Sequence, residues 1–187
     1  GILHVALLRC PYAHARIQRL DVEAARKAPG VVAAVTGAEV RHLGPMPVMR
    51  LFPDMKVPPH PILADGVARA LGTPVAAVAA ETPYQARDAA ELIQVDYEPL
   101  PPVVDPEAAL AHDAPVLFSE LGTNRSFTNI WRHGDPDAAF ASAYRVVKLR
   151  VVQQRLARVA LEPRGILASF DPITEELTIW PSTPAPF

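Results

Sequence analysis

The 187-residue sequence predicts an α+β fold in two parts, and three observations lead to this prediction. Short apolar or β-branched runs recur between turn-forming residues and indicate strands. Capped helical segments lie between some of these runs, so helices and strands share one domain. Further strand-like runs follow a weakly patterned stretch at 111–130. We therefore expect an α+β domain with a mixed sheet over residues 1–112, a linker over 113–130, and the partial opening of a second α+β domain over 131–187.

The first domain begins with strand signals around one short helix. Asp21 suits the N-cap of that helix, and Glu23 in its first turn opposes the helix dipole favourably. The helix is predicted over Val22–Ala28, and Pro29 with Gly30 ends it and turns the chain. Three strand-like segments surround it: Ile2–Leu8, Ala15–Leu20 and Val31–Thr36.

Residues 41–70 have no clear period and hold six prolines and all three methionines. This composition predicts a long surface loop. Such a loop could lie on its own domain, which is the usual arrangement, or it could cover a neighbouring subunit or domain.

The next segment predicts a helix packed on a strand. Thr82 suits an N-cap, Pro83 suits the first helical position, and the Gln85 side chain could reach back to the Thr82 N–H to complete a capping box. The helix would present one apolar face formed by Ala86, Ala89, Ala90 and Ile93. Strands are predicted on either side of it, at Val75–Ala80 and Val95–Tyr97.

Two further helices are predicted from an N-cap residue followed by proline, and the tail is predicted to end in a hairpin. Asp105 and Asp135 each precede a proline and predict helices over Glu107–Ala111 and Asp137–Ala143. Tyr144–Val152 is β-rich and amphipathic. Gly165–Asp171 and Glu176–Trp180 predict a hairpin joined across residues 172–174.

Composition and motif content exclude several function classes. A net charge of −2 provides no basic surface for nucleic acid or an anionic membrane. The longest apolar runs are too short to span a bilayer, and no signal peptide precedes them. A single cysteine, Cys10, indicates a reducing, cytoplasmic compartment and is expected to be buried and inert. The chain begins at Gly1, so we expect a processed or shortened form. The histidine spacing does not suit zinc, and glycine-rich nucleotide loops and nucleophile elbows are absent from the sequence.

Seven segments, in order from the first residues to the last, resemble the molybdenum hydroxylase large subunits, the family of xanthine dehydrogenase, aldehyde oxidase and carbon monoxide dehydrogenase. The first is similar to the family pattern R-S-P-h-A-H-A-R-I, the second to P-G-V-x-A-V-x-T-G, and the sixth to M-E-P-R-G. The segments are Arg9–Ile17, Pro29–Gly37, Leu71–Ala76, Ala86–Pro101, Gly134–Ala143, Leu161–Gly165 and Leu177–Thr183.

The resemblance implies an α/β-hammerhead domain followed by the start of the molybdopterin-binding domain. It implies a holoenzyme that hydroxylates an aldehyde, a purine, another N-heterocycle or carbon monoxide, with water supplying the oxygen. The implied cofactors are molybdopterin (cytosine dinucleotide), with iron–sulfur and flavin groups on partner subunits or domains. The implied partners are the other subunits or remaining domains of such an enzyme, or another copy of the chain, and neither nucleic acid nor a membrane.

Besides Ala34, which replaces a patterned valine, two departures from the family pattern concern polar positions. Cys10 stands where the family usually has serine, and Pro184 stands where it has the glutamine that lies beside the molybdenum. Proline offers neither a side-chain hydrogen-bonding group nor a backbone N–H. The family's Gly-Gly-x-Phe-Gly loop, its late catalytic glutamate and its pterin-binding segments are absent from the sequence. Arg9, His14 and Arg16 are expected to order a turn and a strand.

We therefore predict no catalytic, cofactor-binding or metal-binding residue in this chain, and no cofactor bound by it alone. Three hypotheses follow. The chain could be a portion of an oxidoreductase large subunit, incompetent by itself. It could be a non-catalytic scaffold subunit that assembles with a separate cofactor-carrying chain, which Pro184 favours. It could also be an unrelated module that binds a small ligand in the loop at 45–61. The apolar side chains of the tail, from Tyr144 onward, are expected to be covered by another copy, by the N-terminal domain or by a cofactor subunit.

Overall fold

The computed structural model describes residues 1–154, 156 and 159–183, and it forms two compact units, Gly1–Trp131 and Arg132–Phe187. In chain order, the first unit contains β1 His4–Arg9, β2 Ala15–Asp21, α1 Glu23–Arg26, β3 Val31–Thr36, α2 Gly37–Val40, β4 Val67–Ala68, β5 Pro74–Ala80, α3 Pro83–Glu91 and β6 Gln94–Pro99. The second contains α4 Pro136–Ala141, β7 Ile166–Asp171 and β8 Glu176–Pro181. Short 3-10 turns occupy Arg41–Leu43, Ala108–Leu110 and Ser119–Leu121.

The first sheet of unit 1 has the order β1-β5-β3, with both neighbours antiparallel to β5. One face carries Val78 and Ala34, which are buried, and helices α1 and α3 cover this face through small alanines such as Ala25 and Ala89. Alanines bring the helix axis close to the sheet, so small side chains suffice to exclude water from Val78.

The opposite face of the same sheet is also apolar. Val5 pairs with Ala79, which also pairs with Ala33, and Leu7 pairs with Ala77, which also pairs with Val35. Residues that pair directly share a face, so these six side chains form two rows of three. Val5 is 67% exposed and Leu7 is 41% exposed.

The second sheet has the order β4-β2-β6 and is antiparallel throughout. Ala15 of β2 and Ala68 of β4 are fully buried, and they join Cys10, Ala64 and Val75 in a second core cluster. Val75, at the start of β5, thereby links the two sheets.

Unit 2 is built on the antiparallel hairpin of β7 and β8, in which Ile166 lies opposite Pro181 and Asp171 opposite Glu176. Every residue of both strands is exposed. A two-stranded hairpin is marginally stable by itself in water, so this unit needs further cover.

The α+β class and most predicted elements are confirmed. The expected mixed sheet is wrong, because the strand pairs among the described residues are all antiparallel. The predicted helix at 22–28 is a single turn, and that at 107–111 is a 3-10 turn. The confirmed strands are those predicted at Ile2–Leu8, Ala15–Leu20, Val31–Thr36, Val75–Ala80 and Val95–Tyr97, with the hairpin of the tail.

Residues 41–70 are confirmed as mostly irregular, although the segment opens with the 3-10 turn at Arg41–Leu43, directly after α2, and contains the short strand β4 near its end. The segment packs on its own unit at several points. The Lys56 N–H donates to the Ser126 carbonyl at 2.9 Å, and the Ser126 hydroxyl donates back to the Lys56 carbonyl at 2.8 Å. Arg69 donates to the Leu117 carbonyl and lies over the Phe118 ring. The assignment of 113–130 as an interdomain linker stays a prediction.

Candidate functional site

The first motif, at residues 9–17, uses its polar side chains to hold its own unit together. Arg9 donates to the Gly72 carbonyl at 2.8 Å, and Arg16 forms an ion pair with Glu98 at 3.0 Å. The His14 Nδ1 lies 2.8 Å from the Pro101 carbonyl oxygen, which can only accept, so Nδ1 carries the proton. These contacts tie the turn between β1 and β2 to the loop before β5 and to the end of β6.

The second motif, at residues 29–37, contains a glycine at a close backbone approach. A Cβ on Gly37 would lie 2.5 Å from the Ala64 carbonyl oxygen, so a larger residue would push away the segment that carries Ala64. Thr36 precedes it and caps α2: its N–H and its hydroxyl both donate to the Glu39 carboxylate at 2.9 Å. The Thr36 backbone N–H, then its hydroxyl, and then Arg26 hold the pKa of Glu39 below its usual value.

Cys10 and Tyr12 of the first motif lie close to Tyr97 of β6, and of the three only Cys10 is fully buried, while Tyr97 is half-buried and Tyr12 is exposed. Cys10 is 1% exposed, which confirms the expected burial. The ring centroids of Tyr12 and Tyr97 are 5.5 Å apart. The Tyr97 hydroxyl is buried and has no hydrogen-bond partner among the described residues. Burial, with a smaller contribution from Cys10, raises the pKa of Tyr97 to about 12.

In unit 2, the two last motifs converge on an open cleft at one end of the β7–β8 hairpin. The Ser182 N–H donates to the Gly165 carbonyl at 2.8 Å, and the Ser182 hydroxyl donates to the Glu162 carboxylate at 3.0 Å. Arg164 and Thr183 also line this cleft. Both motifs can be identified from the sequence. Their contact cannot, because it is the pairing of β7 with β8 that brings residue 182 beside residue 162.

The cleft by itself does not fit a pterin cofactor. The carboxylate of Glu162 already accepts from Ser182, and Arg164 and Thr183, which also line the cleft, are exposed. Cofactor pockets in proteins enclose most of their ligand, whereas the residues that line this cleft are exposed, apart from the half-buried Ser182. Within the described ranges, no three His, Cys, Asp or Glu side chains come together in a way that could hold a metal ion. Pro184 lies outside the described residues.

None of the helices in the described part of the chain is long and apolar enough to cross a membrane.

Two protein-family models match the chain. The model described as "Aldehyde oxidase and xanthine dehydrogenase, a/b hammerhead domain" matches residues 1–101. The model described as "Molybdopterin cofactor-binding domain" matches residues 118–187.

Similar proteins include the 6-hydroxypseudooxynicotine dehydrogenase complex subunit gamma of Paenarthrobacter nicotinovorans, which is 39% identical over 185 residues, covering 96% of this chain and 23% of that protein. The carbon monoxide dehydrogenase large chain of Afipia carboxidovorans is 36% identical, over 100% of this chain and 24% of that protein. Among solved structures, quinoline 2-oxidoreductase from Pseudomonas putida 86 matches with a TM-score of 0.90 at 36% identity, over 98% of this chain and 23% of that chain. The chain thus spans about a quarter of the length of these relatives.

Proposed function

Because this chain belongs to the molybdenum hydroxylase large-subunit family, we propose that it supplies the N-terminal structural portion of an oxidoreductase of the aldehyde, xanthine or carbon monoxide oxidation class. In this proposal residues 1–112 form the hammerhead domain, 113–130 the linker, and 131–187 the opening of the molybdopterin-binding domain. The observation that carries it is the pair of family matches in family order along one chain.

The motif side chains support a structural role for the first unit. Arg9, His14 and Arg16 are each engaged by a carbonyl or carboxylate of the same unit. A group that is already hydrogen-bonded inside its own domain is poorly placed to bind a substrate as well. The contribution of these residues is therefore to fix the turn at 10–14 and the second sheet.

The second unit supports an incomplete cofactor domain. Its hairpin leaves large apolar side chains in water, such as Trp180 at 54% and Ile166 at 76% exposure. Together with the exposed lining of the cleft, this leads us to assign molybdopterin binding to polypeptide beyond the matched region, and iron–sulfur and flavin groups to partner subunits or domains. No residue of this chain is assigned a catalytic, cofactor-binding or metal-binding role.

The test is the metal content and the activity of the isolated chain. We expect washed, purified chain to contain no stoichiometric molybdenum by elemental analysis and to oxidise neither aldehyde, purine nor carbon monoxide. The intact large chain of a relative, carried through the same purification, is the control for metal loss. Stoichiometric molybdenum in the isolated chain, or turnover by it, would contradict the proposal.

A second candidate is a scaffold subunit that assembles with a separate cofactor-carrying chain, and Pro184 favours it, because proline cannot supply the family's glutamine contact. The two candidates differ in the size of the native polypeptide. The intact mass of the protein isolated from its source cells would match a chain of about the present 187 residues for a scaffold, and a severalfold longer chain for a large subunit.

A further inference from the structure

Unit 1 contains a cavity of about 800 Å³ that is separate from the hairpin cleft of unit 2. It lies where residues 103–129 meet the loop at 41–70, which contributes Lys56 and Pro58 to the lining. Ligand sites in proteins are concave, largely apolar and of this size. The apolar members of its lining that are half-buried include Val103, Ala109, Leu117, Phe118 and Leu121.

Hydrogen bonds inside unit 1 hold the wall of the cavity in place. The Asn124 Oδ1 accepts from the Leu117 N–H at 3.0 Å, and its Nδ2 donates to the carbonyls of Ala109 and Pro115 at 3.1 and 2.9 Å. Arg69 also donates to the Leu117 carbonyl at 2.8 Å. A ligand that enters a wall already fixed in this way orders little further polypeptide, which favours its affinity.

The two charged side chains that line the cavity, Lys56 and Arg125, are both positive. Neither forms an ion pair with a carboxylate in the part of the chain that the structure describes. The Lys56 ammonium donates one long hydrogen bond, of 3.4 Å, to the Leu121 carbonyl, and it has three donors. A bound anion would relieve the repulsion between two positive charges that share one cavity.

Much of the lining comes from a stretch that neither family model covers. The two matches end at residue 101 and begin again at residue 118. The lining residues between them are Val103, Pro106, Ala109, Leu110 and Leu117. The cavity is therefore not part of the motifs that identify the family.

We propose that this cavity binds an organic carboxylate with an apolar body. The carboxylate pairs with Lys56 and Arg125, whose guanidinium matches two carboxylate oxygens, and the hydrocarbon contacts Leu117 and Phe118. An inorganic anion would leave the apolar lining in water, and a neutral hydrocarbon would leave the two cations without a counter-charge. The proposal is independent of the proposed function, because it concerns unit 1 alone.

The test is calorimetric titration of the purified chain with ibuprofen, an aryl-substituted carboxylate, and with the neutral primary amide of ibuprofen. We expect saturable binding of the carboxylate and binding of the amide that is weaker by about tenfold or more. R125Q and K56Q should each weaken carboxylate binding by about tenfold, since each removes a charge-assisted contact. R50Q is the matched control, because Arg50 is also exposed but does not line the cavity, and it should bind as wild type does.

Three results would overturn the proposal. The first is a lack of saturable binding up to about millimolar ibuprofen, an affinity too weak for a specific site. The second is equal affinity for the carboxylate and its amide, which would show that the charge is not recognised. The third is equal affinity in R125Q, K56Q and R50Q, which would place the ligand elsewhere, as on the exposed apolar side chains of unit 2.

A second copy of the chain is the other occupant to be tested. A109F places a large ring in the cavity and should abolish ibuprofen binding without changing the sedimentation of the chain. If wild-type chain sediments as a dimer that A109F or ibuprofen dissociates, a second copy fills the cavity and the proposal is overturned. If A109F fails to fold, R125Q and K56Q still decide the matter, because both side chains are exposed.

Discussion

At the scale of single residues, Tyr97 combines an aromatic contact that stabilises the unit with a hydroxyl that does not. Its ring packs against Tyr12 and the second core cluster. Its buried hydroxyl has given up water without gaining a hydrogen bond among the described residues. An unsatisfied buried polar group costs free energy, so a phenylalanine ring at this position would stabilise the folded unit at least as much as tyrosine does.

We expect Tyr97→Phe to leave the free energy of unfolding unchanged or slightly increased at neutral pH, and to change its dependence on alkaline pH. The pKa of Tyr97 is about 12 in the folded chain and near 10 when unfolded. The unfolded state therefore loses this proton first, so wild-type stability falls as pH rises from about 10 to about 12. Urea unfolding across this range should show a smaller fall for Tyr97→Phe, and parallel curves would contradict the assignment.

Arg26 shows the opposite case, a side chain that donates four hydrogen bonds within its own unit. Its Nε and Nη2 donate to the Ala34 carbonyl at 3.1 and 2.9 Å, and the guanidinium also pairs with Glu23 and Glu39. It therefore connects α1, β3 and α2. The hydrogen bond to Glu23, followed by that to Glu39, raises the pKa of Arg26 further above its ordinary value.

The Arg26→Gln variant should lose about 1–2 kcal/mol of unfolding free energy, because charge-assisted bonds to a partly buried carbonyl are lost. Lys27→Gln removes the neighbouring positive charge without breaking these bonds and should change stability by less than about 0.5 kcal/mol. The difference should persist in high salt, since the Ala34 carbonyl is a neutral acceptor. Equal effects of the two substitutions in urea unfolding would show that Arg26 acts only as a surface charge.

At the scale of elements, helix α3 begins where the sequence predicts, but with a different hydrogen bond. The Thr82 hydroxyl accepts from the Gln85 N–H at 3.2 Å, as an N-cap should. The Gln85 side chain was expected to reach the Thr82 N–H. Instead its Oε1 accepts from the Thr82 hydroxyl at 2.9 Å. The reciprocal box forms at α2 instead, between Thr36 and Glu39.

Thr82→Ala should therefore lower the free energy of unfolding by about 1 kcal/mol through loss of the N-cap. Thr82→Ser keeps the hydroxyl and should retain most of that stability. Both can be measured as urea midpoints of the purified chain. An alanine variant with an unchanged midpoint would show that the cap contributes nothing.

Sequence patterning predicted strands well where the partner strand lies in the same chain. The runs at Val31–Thr36 and Val75–Ala80 pair with each other and form as predicted. Tyr144–Val152 has equally strong β patterning, yet it forms no strand in the structure. A strand is defined by its hydrogen bonds to a neighbouring strand, and the β propensity of a segment does not provide that neighbour. The contact of Glu162 with Ser182 was missed for a related reason, since it depends on hairpin register.

At the scale of the whole chain, the two units differ in how much of their surface they bury. Unit 1 contains both core clusters, with Val75 and Val78 fully buried. In unit 2, Val147 and Leu149 are 81% and 83% exposed, and they lie in a stretch without helix or strand. The cover that the tail was expected to have stays a prediction.

This contrast predicts the course of limited proteolysis. Trypsin should cleave first after Arg145 and Lys148, where the backbone is exposed and lacks secondary structure. A fragment that begins at Gly1 and contains unit 1 should persist, and its mass can be read by mass spectrometry. Earlier cleavage after Arg16, Arg19 or Arg26, within the paired strands and α1, would contradict the relative order of stability.

The pairing of the opening strands has a consequence for synthesis on the ribosome. β1 and β2 are neighbours in the chain but do not pair with each other: His4 lies opposite Ala80, and Ala15 lies opposite Pro99. At a translation rate of about 5–20 residues per second, β1 waits roughly 4–15 s for β5 to appear. Until β5 is made, the apolar strand β1 has no hydrogen-bonded partner in its sheet, so its edge is open to pairing with other chains.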